Sequence, residues 1–299
     1  MILHEIEPNY NTQRQTILAL EQKYPFMKAK KIGESHVGRD IYTLFVGNMG
    51  NPTLFAGGFH ALEWLTVSVL LKFTERICSA AYADDAICDV DVPKSLATRG
   101  VIIVPCINPD GIEIALSGAD SAGEYAQTVL DISGGDLSSW NANARGVDIN
   151  HNFDAEWEIL KQTEQKNGIF SPSPRRFGGY APESENETKA LCELCREFNV
   201  RKVMALHSQG EEIYWNFGKK TPRQSRAIGE ILAKSSGYSL TAPDEEIATG
   251  GGFKDWFINE FAKPGFTVEI GKGKNPLPIN KFNDIYKKIE EMLMIFTII

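Results

Sequence analysis

Four apolar segments of the sequence constrain the fold of this chain most strongly. They are TLFAGGF (53–59), VIIVPCI (101–107), KVMAL (202–206) and GFTV (265–268). Segments with the periodicity of helices lie between them, and continuously apolar strands are typical of sheets that helices cover on both faces. The alternation therefore predicts an α/β fold, a single domain with a mixed, largely parallel central sheet flanked by helices on both faces.

The organisation of the chain indicates one domain over residues 1–299. We find no internal repeat, no wall-binding repeat, no Pro- or Ser-rich linker and no pro-segment. The opening MILHEIEPNY lacks the basic and apolar regions of a secretory leader, so we expect a cytoplasmic protein. Residues 117–146 are rich in Gly, Ser, Asp and Asn, and we expect a long loop with a functional role there.

The five cysteines, an odd number without a leader, favour a reduced compartment. Cys192 and Cys195 form a CxxC pair inside a helical pattern. Because no second pair accompanies them, we interpret them as two thiols on a helix rather than a zinc site.

The charge of the chain disfavours some partners. The formal net charge is −8, which disfavours a surface for nucleic acid or anionic membranes. The longest apolar run near the end, MLMIFTII, is far too short to span a bilayer and is expected to close the last helix. The sequence does not indicate an oligomeric state.

Polar residues with useful chemistry follow each of the four apolar segments. His60, Asn108, His207 and Glu269 each stand at the predicted carboxyl end of a strand. Since ligands of open α/β sheets bind beyond these strand ends, we expect the four side chains to share one site.

A pair of potential metal ligands lies in GGFHALEWL, where His60 and Glu63 are three residues apart. A catalytic zinc takes three protein ligands, usually His with Glu or Asp, and leaves a position for water. The third ligand commonly comes from a distant part of the chain, and His207 is 147 residues further on (207 − 60). Alone, the His-x-x-Glu pair is a weak signal because such pairs arise by chance.

Eight motifs, in order, resemble those of the zinc metallocarboxypeptidase family over nearly the whole chain. They are KIGESHVGRDIYTLFVG, GGFHALEW, INPDG, WNANARGVDINHNFDAEW, FGGYAPESENETKAL, ALHSQG, TGGGFKDWF and FTVEIG. The resemblance implies a metallocarboxypeptidase-like fold and a zinc metallopeptidase with one Zn²⁺ held by His60, Glu63 and His207. It also implies that Glu269 takes a proton from the attacking water and passes it to the leaving amine.

The family places a basic residue shortly before the GVD stretch, where it stabilises the tetrahedral oxyanion. We assign this role to Arg145, with Asn141 as the alternative because it occupies the position after Trp140 where an arginine or lysine is usual.

Three departures from the family pattern concern the substrate. Family members typically read DLNRN where this chain has Asp148 to Asn152, so Asn150 remains but His151 replaces the arginine that grips a C-terminal carboxylate. Ile247 stands near the position of a substrate-covering tyrosine. Lys254 stands at the side-chain pocket, where it would favour an anionic group or, alternatively, be a solvated charge on a short helix.

These departures resemble the bacterial γ-D-glutamyl-meso-diaminopimelate peptidase branch, whose members cut cell-wall peptides. The resemblance implies a small peptide or muropeptide substrate, with Asn150, His151 and Lys254 as binding residues. Two alternatives stay open: a conventional metallocarboxypeptidase that releases C-terminal residues, and a non-catalytic binding module of the same fold.

Overall fold

The computed structural model describes residues 6–241 and 250–299 and shows an α/β fold. The helices in these ranges are α1 Tyr10–Lys23, α2 Leu65–Ala83, α3 Val92–Thr98, α4 Pro109–Ser117, α5 Ala126–Ser133, α6 Trp157–Lys166, α7 Asn186–Glu197, α8 Ser225–Ser236, α9 Phe253–Phe261 and α10 Phe282–Ile298. The strands are β1 Lys28–Glu34, β2 Asp40–Val46, β3 Thr53–Ala56, β4 Ala86–Ile87, β5 Val90–Asp91, β6 Val101–Val104, β7 Lys202–His207, β8 Glu212–Tyr214, β9 Ser239–Thr241 and β10 Gly265–Glu269.

The main sheet of the described residues has eight strands in the order β1-β2-β6-β3-β7-β10-β8-β9. The central strands β6, β3, β7 and β10 are parallel to one another. Antiparallel pairs flank this centre, and β9 runs parallel to β8 at one edge. The predicted mixed sheet with a parallel centre is therefore confirmed.

Helices cover both faces of the sheet, as predicted. Alternate residues of a strand point to opposite faces. On one face the ring of Phe55 packs edge-on against Phe73 of α2 and Phe296 of α10, with centroids 5.3 and 5.5 Å away. The neighbouring Leu54 lies in the core of the other face, which α7 and α9 cover.

The segment 117–146 is not the continuous loop that its composition suggested. It contains a 3-10 stretch over Ala119–Tyr125 and then α5. A small core that includes the fully buried Trp140 lies beneath these turns. Glycines and short polar residues lower helix propensity, but burial of a few apolar side chains offsets that cost here.

The cysteine pair and the C-terminal apolar run are placed as predicted. Cys192 and Cys195 are buried free thiols in α7, where burial raises the pKa of each thiol. The run MLMIFTII belongs to α10, whose Leu293 and Phe296 are buried in the main core. Among the described helices, none combines the length and the apolar character needed to cross a bilayer.

A turn of glycines after β3 directs the chain towards its functional region. Gly58 has a φ of +62°, a left-handed conformation that favours glycine. A Cβ at this position would lie 3.0 Å from the Cα of Cys106, so the close approach of the two segments also requires glycine.

Asn108 fastens this turn to the start of α4. Its Oδ1 accepts a hydrogen bond from Gly111 N at 2.9 Å, and its Nδ2 donates one to Phe59 O at 2.9 Å. The side chain is fully buried and serves as the helix N-cap. The expectation that Asn108 shares the ligand site is therefore wrong, because both ends of its amide are used to hold the backbone.

We expect Asn108→Ala to lower the free energy of unfolding by about 2–4 kcal/mol, because it removes a cap and leaves a buried carbonyl without a donor. Asn9→Ala is the matched control, since Asn9 caps α1 through a single bond to Thr12 N. That loss is worth about 1 kcal/mol. Urea unfolding of both variants measures the difference, and equal losses would contradict the dual role of Asn108.

Candidate metal centre

Three central strands deliver four polar side chains to one edge of the sheet. The chain leaving β3 carries His60 and then Glu63, which lies in a 3-10 turn over Ala61–Glu63. His207 ends β7 and Glu269 ends β10. These two residues are direct partners in the parallel register of the two strands, so their side chains leave the sheet edge together.

The donor atoms of His60, Glu63 and His207 converge. His60 Nδ1 lies 3.3 Å from His207 Nδ1 and 2.8 Å from Glu63 Oε1. His207 Nδ1 lies 3.0 Å from Glu63 Oε2. Tetrahedral zinc with bonds of 2.0–2.2 Å places its ligands about 3.4 Å apart, which is close to these separations.

The set fits a divalent cation on chemical grounds as well. Two ring nitrogens that face each other at 3.3 Å repel through their lone pairs unless a proton or a cation lies between them. Two imidazoles and one carboxylate are the ligands that zinc prefers in peptidase sites. The three side chains can therefore hold the metal.

Asp148 orients the first of these imidazoles. Its Oδ1 lies 3.2 Å from His60 Nε2, so Nε2 would keep its proton on Asp148 when a cation takes the place of the proton on Nδ1. Asp148 is itself held by backbone N–H groups of Arg176, at 2.8 Å, and Asn150, at 3.2 Å. Against its burial, His60 and His151 hold the pKa of Asp148 well below its usual range.

The protonation of the ligands reflects the same contacts. Burial lowers the pKa of His60, but Glu63 and Asp148 outweigh it and raise that pKa well above its usual range. Burial would raise the pKa of Glu63, whereas His60 and His207 lower it to about 2. Burial lowers the pKa of His207, which favours the neutral imidazole that a metal requires.

Glu269 has a different environment from Glu63. Burial, and after it the neighbouring Glu63 carboxylate, raise the pKa of Glu269 well above its usual range. A cation held between His60, Glu63 and His207 would offset the effect of Glu63. The Glu269 carboxyl is partly buried rather than a solvated charge at a strand end.

The centre opens into a cavity of about 440 Å³. Most of the residues predicted for the site line it. They are His60, Glu63, Asn141, Asn150, His151, His207, Lys254 and Glu269.

Arg145 is not brought into this cavity. Its guanidinium points to Glu185, with Nη1 3.5 Å from Oε1. The geometry therefore does not support the electrophilic role assigned to Arg145. Asn141, the alternative, lines the cavity; its Oδ1 accepts a hydrogen bond from Leu62 N at 3.4 Å. The Asn141 Nδ2 donates no hydrogen bond within the described ranges and is available to a ligand.

Lys254 is buried, so its interpretation as a solvated charge is wrong. Its Nζ donates a hydrogen bond to Asn216 O at 2.8 Å and forms an ion pair with the Asp255 carboxylate. Helix α9 begins after Gly252, and its first turn lies against the cavity.

His151 lines the cavity with a fixed ring orientation. Its Nδ1 donates a hydrogen bond to Arg176 O at 3.1 Å. The Glu164 carboxylate lies 3.5 Å from the same nitrogen. Nε2 is thereby left as the nitrogen that can meet a ligand. Ile247, noted for its departure from tyrosine, lies outside the described residues.

The sequence reasoning assigned no role to Asp148, Arg175 and Arg176, which are among the other residues that line the cavity. Asp148 could have been found from the need of a metal-bound histidine for a second hydrogen-bond partner, since it lies in the quoted GVD stretch. The two arginines follow a Pro-rich loop whose path is set by tertiary contacts, so their sequence position carries no comparable signal.

Comparisons with known proteins agree with this geometry. Residues 14–294 match the family model described as zinc carboxypeptidase. The chain is 33% identical over 282 residues to γ-D-glutamyl-L-diamino acid endopeptidase 1 of Lysinibacillus sphaericus, a match that covers 94% of this chain and 69% of the relative.

Two solved structures share the fold. Bovine thrombin-activatable fibrinolysis inhibitor superposes with a TM-score of 0.76 at 20% identity, covering 98% of this chain and 97% of that one. Murein-tripeptide amidase MpaA from Escherichia coli O157 superposes with a TM-score of 0.56 at 21% identity, covering 90% and 91% of the two chains.

We expect Asp148→Asn to weaken zinc binding by about 10- to 100-fold, because the amide no longer fixes the His60 tautomer through a charged acceptor. Titration against a competing chelator measures the affinity. Asp136→Asn is the control, since Asp136 is exposed and its Oδ1 accepts a hydrogen bond from the neighbouring Ser138 N. An unchanged affinity in Asp148→Asn would show that this contact does not support the metal.

Proposed function

This chain belongs to the zinc carboxypeptidase family and is a zinc-dependent metallopeptidase, and from that membership we propose that it cleaves bacterial cell-wall peptides. The bond is the amide between the γ-carboxyl of D-glutamate and meso-diaminopimelate. The observation that carries the proposal is the 33% identity, over 94% of the chain, to an endopeptidase named for γ-D-glutamyl-diamino acid bonds.

Metal binding is assigned to His60, Glu63 and His207, whose donor atoms converge. Zinc bound there would polarise a carbonyl oxygen and acidify water. Asp148 fixes the His60 ring. The burial of Glu63 and His207 in the cavity wall keeps bulk water away from these groups and strengthens their charge interactions.

Glu269 is the proposed proton carrier. Glu269 pairs with His207 in the register of β10 and β7 and lines the cavity, where its carboxylate could accept a proton from the attacking water at Oε and deliver it to the departing amine. The Nδ2 group of Asn141 is the proposed donor to the developing oxyanion, in place of Arg145.

The cavity also offers cationic groups to a substrate that carries several carboxylates. Arg175 and Arg176 lie at its wall, with Arg175 exposed. A guanidinium can bind a carboxylate with two parallel hydrogen bonds. Lys254, His151 and Asn150 are proposed to contact the substrate deeper in the cavity, as the family resemblance implies.

The cytoplasmic location remains a prediction from the sequence.

We expect the protein to convert L-Ala-γ-D-Glu-meso-diaminopimelate into L-Ala-D-Glu and free diaminopimelate, as mass spectrometry of the products would show. A chelator should abolish the reaction and added Zn²⁺ should restore it. Glu269→Gln should reduce kcat by about 10²–10⁴-fold, since the amide cannot carry the proton. The zinc content of that variant should be unchanged.

The matched control is Glu230→Gln, because Glu230 lies on the exposed face of α8 in an ion pair with Arg226. This variant should keep full activity. An intact tripeptide, together with release of ordinary C-terminal residues from blocked peptides, would instead identify a conventional carboxypeptidase.

A further inference from the structure

A second group of metal-ligating side chains lies outside the cavity, between the turn that joins β1 to β2 and the start of α7. We call His36, Glu185 and Glu187 the second cluster. His36 Nε2 lies 3.0 Å from Glu185 Oε2 and 3.8 Å from Glu187 Oε2. One ligand atom from each residue lies within 4.8 Å of the other two.

The two carboxylates of the second cluster are almost completely buried. Glu185 is 1% and Glu187 is 0% exposed, and the side chain of His36 is 12% exposed. Buried carboxylates are rare without a partner, because removing a charge from water is costly.

Glu185 has the partners that such burial demands. Its Oε2 accepts a hydrogen bond from Asn143 Nδ2 at 2.8 Å, and its Oε1 accepts one from Ser184 Oγ at 2.8 Å. The guanidinium of Arg145 lies 3.5 Å from Oε1. Burial raises the pKa of Glu185, but His36 and these donors outweigh it and lower that pKa.

Glu187 has no such support. Neither of its carboxyl oxygens is hydrogen-bonded to another residue in the described part of the chain. Burial, with smaller contributions from Asp110 and Glu185, raises its pKa to about 8. An unsatisfied buried polar group costs about 1–3 kcal/mol, so this carboxyl requires a partner that the protein itself does not provide.

We propose that the second cluster is a binding site for a divalent transition-metal cation, with Zn²⁺ as its representative. One imidazole nitrogen and two carboxylate oxygens are a suitable ligand set, and their charges balance a doubly charged ion. The distances of 3.0 and 3.8 Å from His36 Nε2 to the two carboxylates bracket the distance of about 3.4 Å between two ligand atoms of tetrahedral zinc. The partly exposed ring of His36 provides the route of entry.

The site joins three separate parts of the fold. His36 belongs to the β1–β2 turn, Glu187 to α7, and Asn143 to the segment that continues to Asp148 and Asn150 in the cavity. A metal bound here would fasten that segment to the body of the protein. The role is structural and does not depend on which bond the cavity cleaves.

The test counts zinc ions by calorimetric titration of metal-free protein. The background is the double variant His60→Gln with His207→Gln, which disables the cavity centre. We expect this background to bind about one equivalent of Zn²⁺ and the wild-type chain about two. Adding Glu187→Gln, or separately His36→Gln, to the background should remove that equivalent.

Glu193→Gln in the same background is the matched control, because Glu193 lies on α7 with its side chain exposed, and binding should be unchanged. Thermal unfolding without metal verifies that each variant folds. If Glu187→Gln does not fold, His36→Gln alone provides the test of the ligand set. Zinc should raise the Tm of the background and leave that of the two ligand variants unchanged.

Failure of the background to bind zinc would overturn the second site. Zinc binding that persists in both His36→Gln and Glu187→Gln would overturn it equally. Neither result involves a substrate, so the proposed peptidase activity is judged separately.

Discussion

The parallel pairing of β3, β7 and β10 determines where the charged groups of the cavity lie. Because β7 and β10 are in register at His207 and Glu269, a metal ligand and a proton carrier leave the sheet edge side by side. β3 ends at Ala56, which pairs with Ala205, two residues before His207 on β7. The glycine turn after β3 then places His60 and Glu63 over this edge, next to the ends of β7 and β10.

Burial of charge near this edge explains most of the surrounding hydrogen bonds. Glu63 and Asp148 are both largely buried, and each is stabilised by imidazoles and by backbone N–H groups, including that of Ser208 for Glu63. A cation would complete the set, because it would compensate carboxylates that otherwise repel one another. The second cluster differs, because neither carboxyl oxygen of Glu187 accepts a hydrogen bond from another residue in the described ranges. Glu187 is therefore the least satisfied carboxyl in the two groups of side chains that could hold a metal.

Much of the fold and of the metal centre could be predicted from the sequence. Long apolar runs mark buried strands, and a polar residue that ends such a run must lie at the sheet edge, which placed His60, His207 and Glu269 correctly. The same rule misplaced Asn108, because a polar residue after a strand can be either a helix N-cap or a ligand, and the sequence pattern does not distinguish the two. The sequence could not show whether the side chains of Arg145 and Lys254 point into the cavity. The direction of a side chain in a turn, or in the first turn of a helix, depends on tertiary contacts such as those with Glu185 and Asp255.

The measurement that tests the central claim most directly is anomalous X-ray diffraction at the zinc absorption edge from crystals of the zinc-loaded protein. We predict a peak about 2.0–2.2 Å from His60 Nδ1, His207 Nδ1 and a Glu63 carboxylate oxygen. The Asp148 carboxylate should remain on His60 Nε2. No peak at this position, or an ion coordinated through Nε2 of either histidine, would contradict the account.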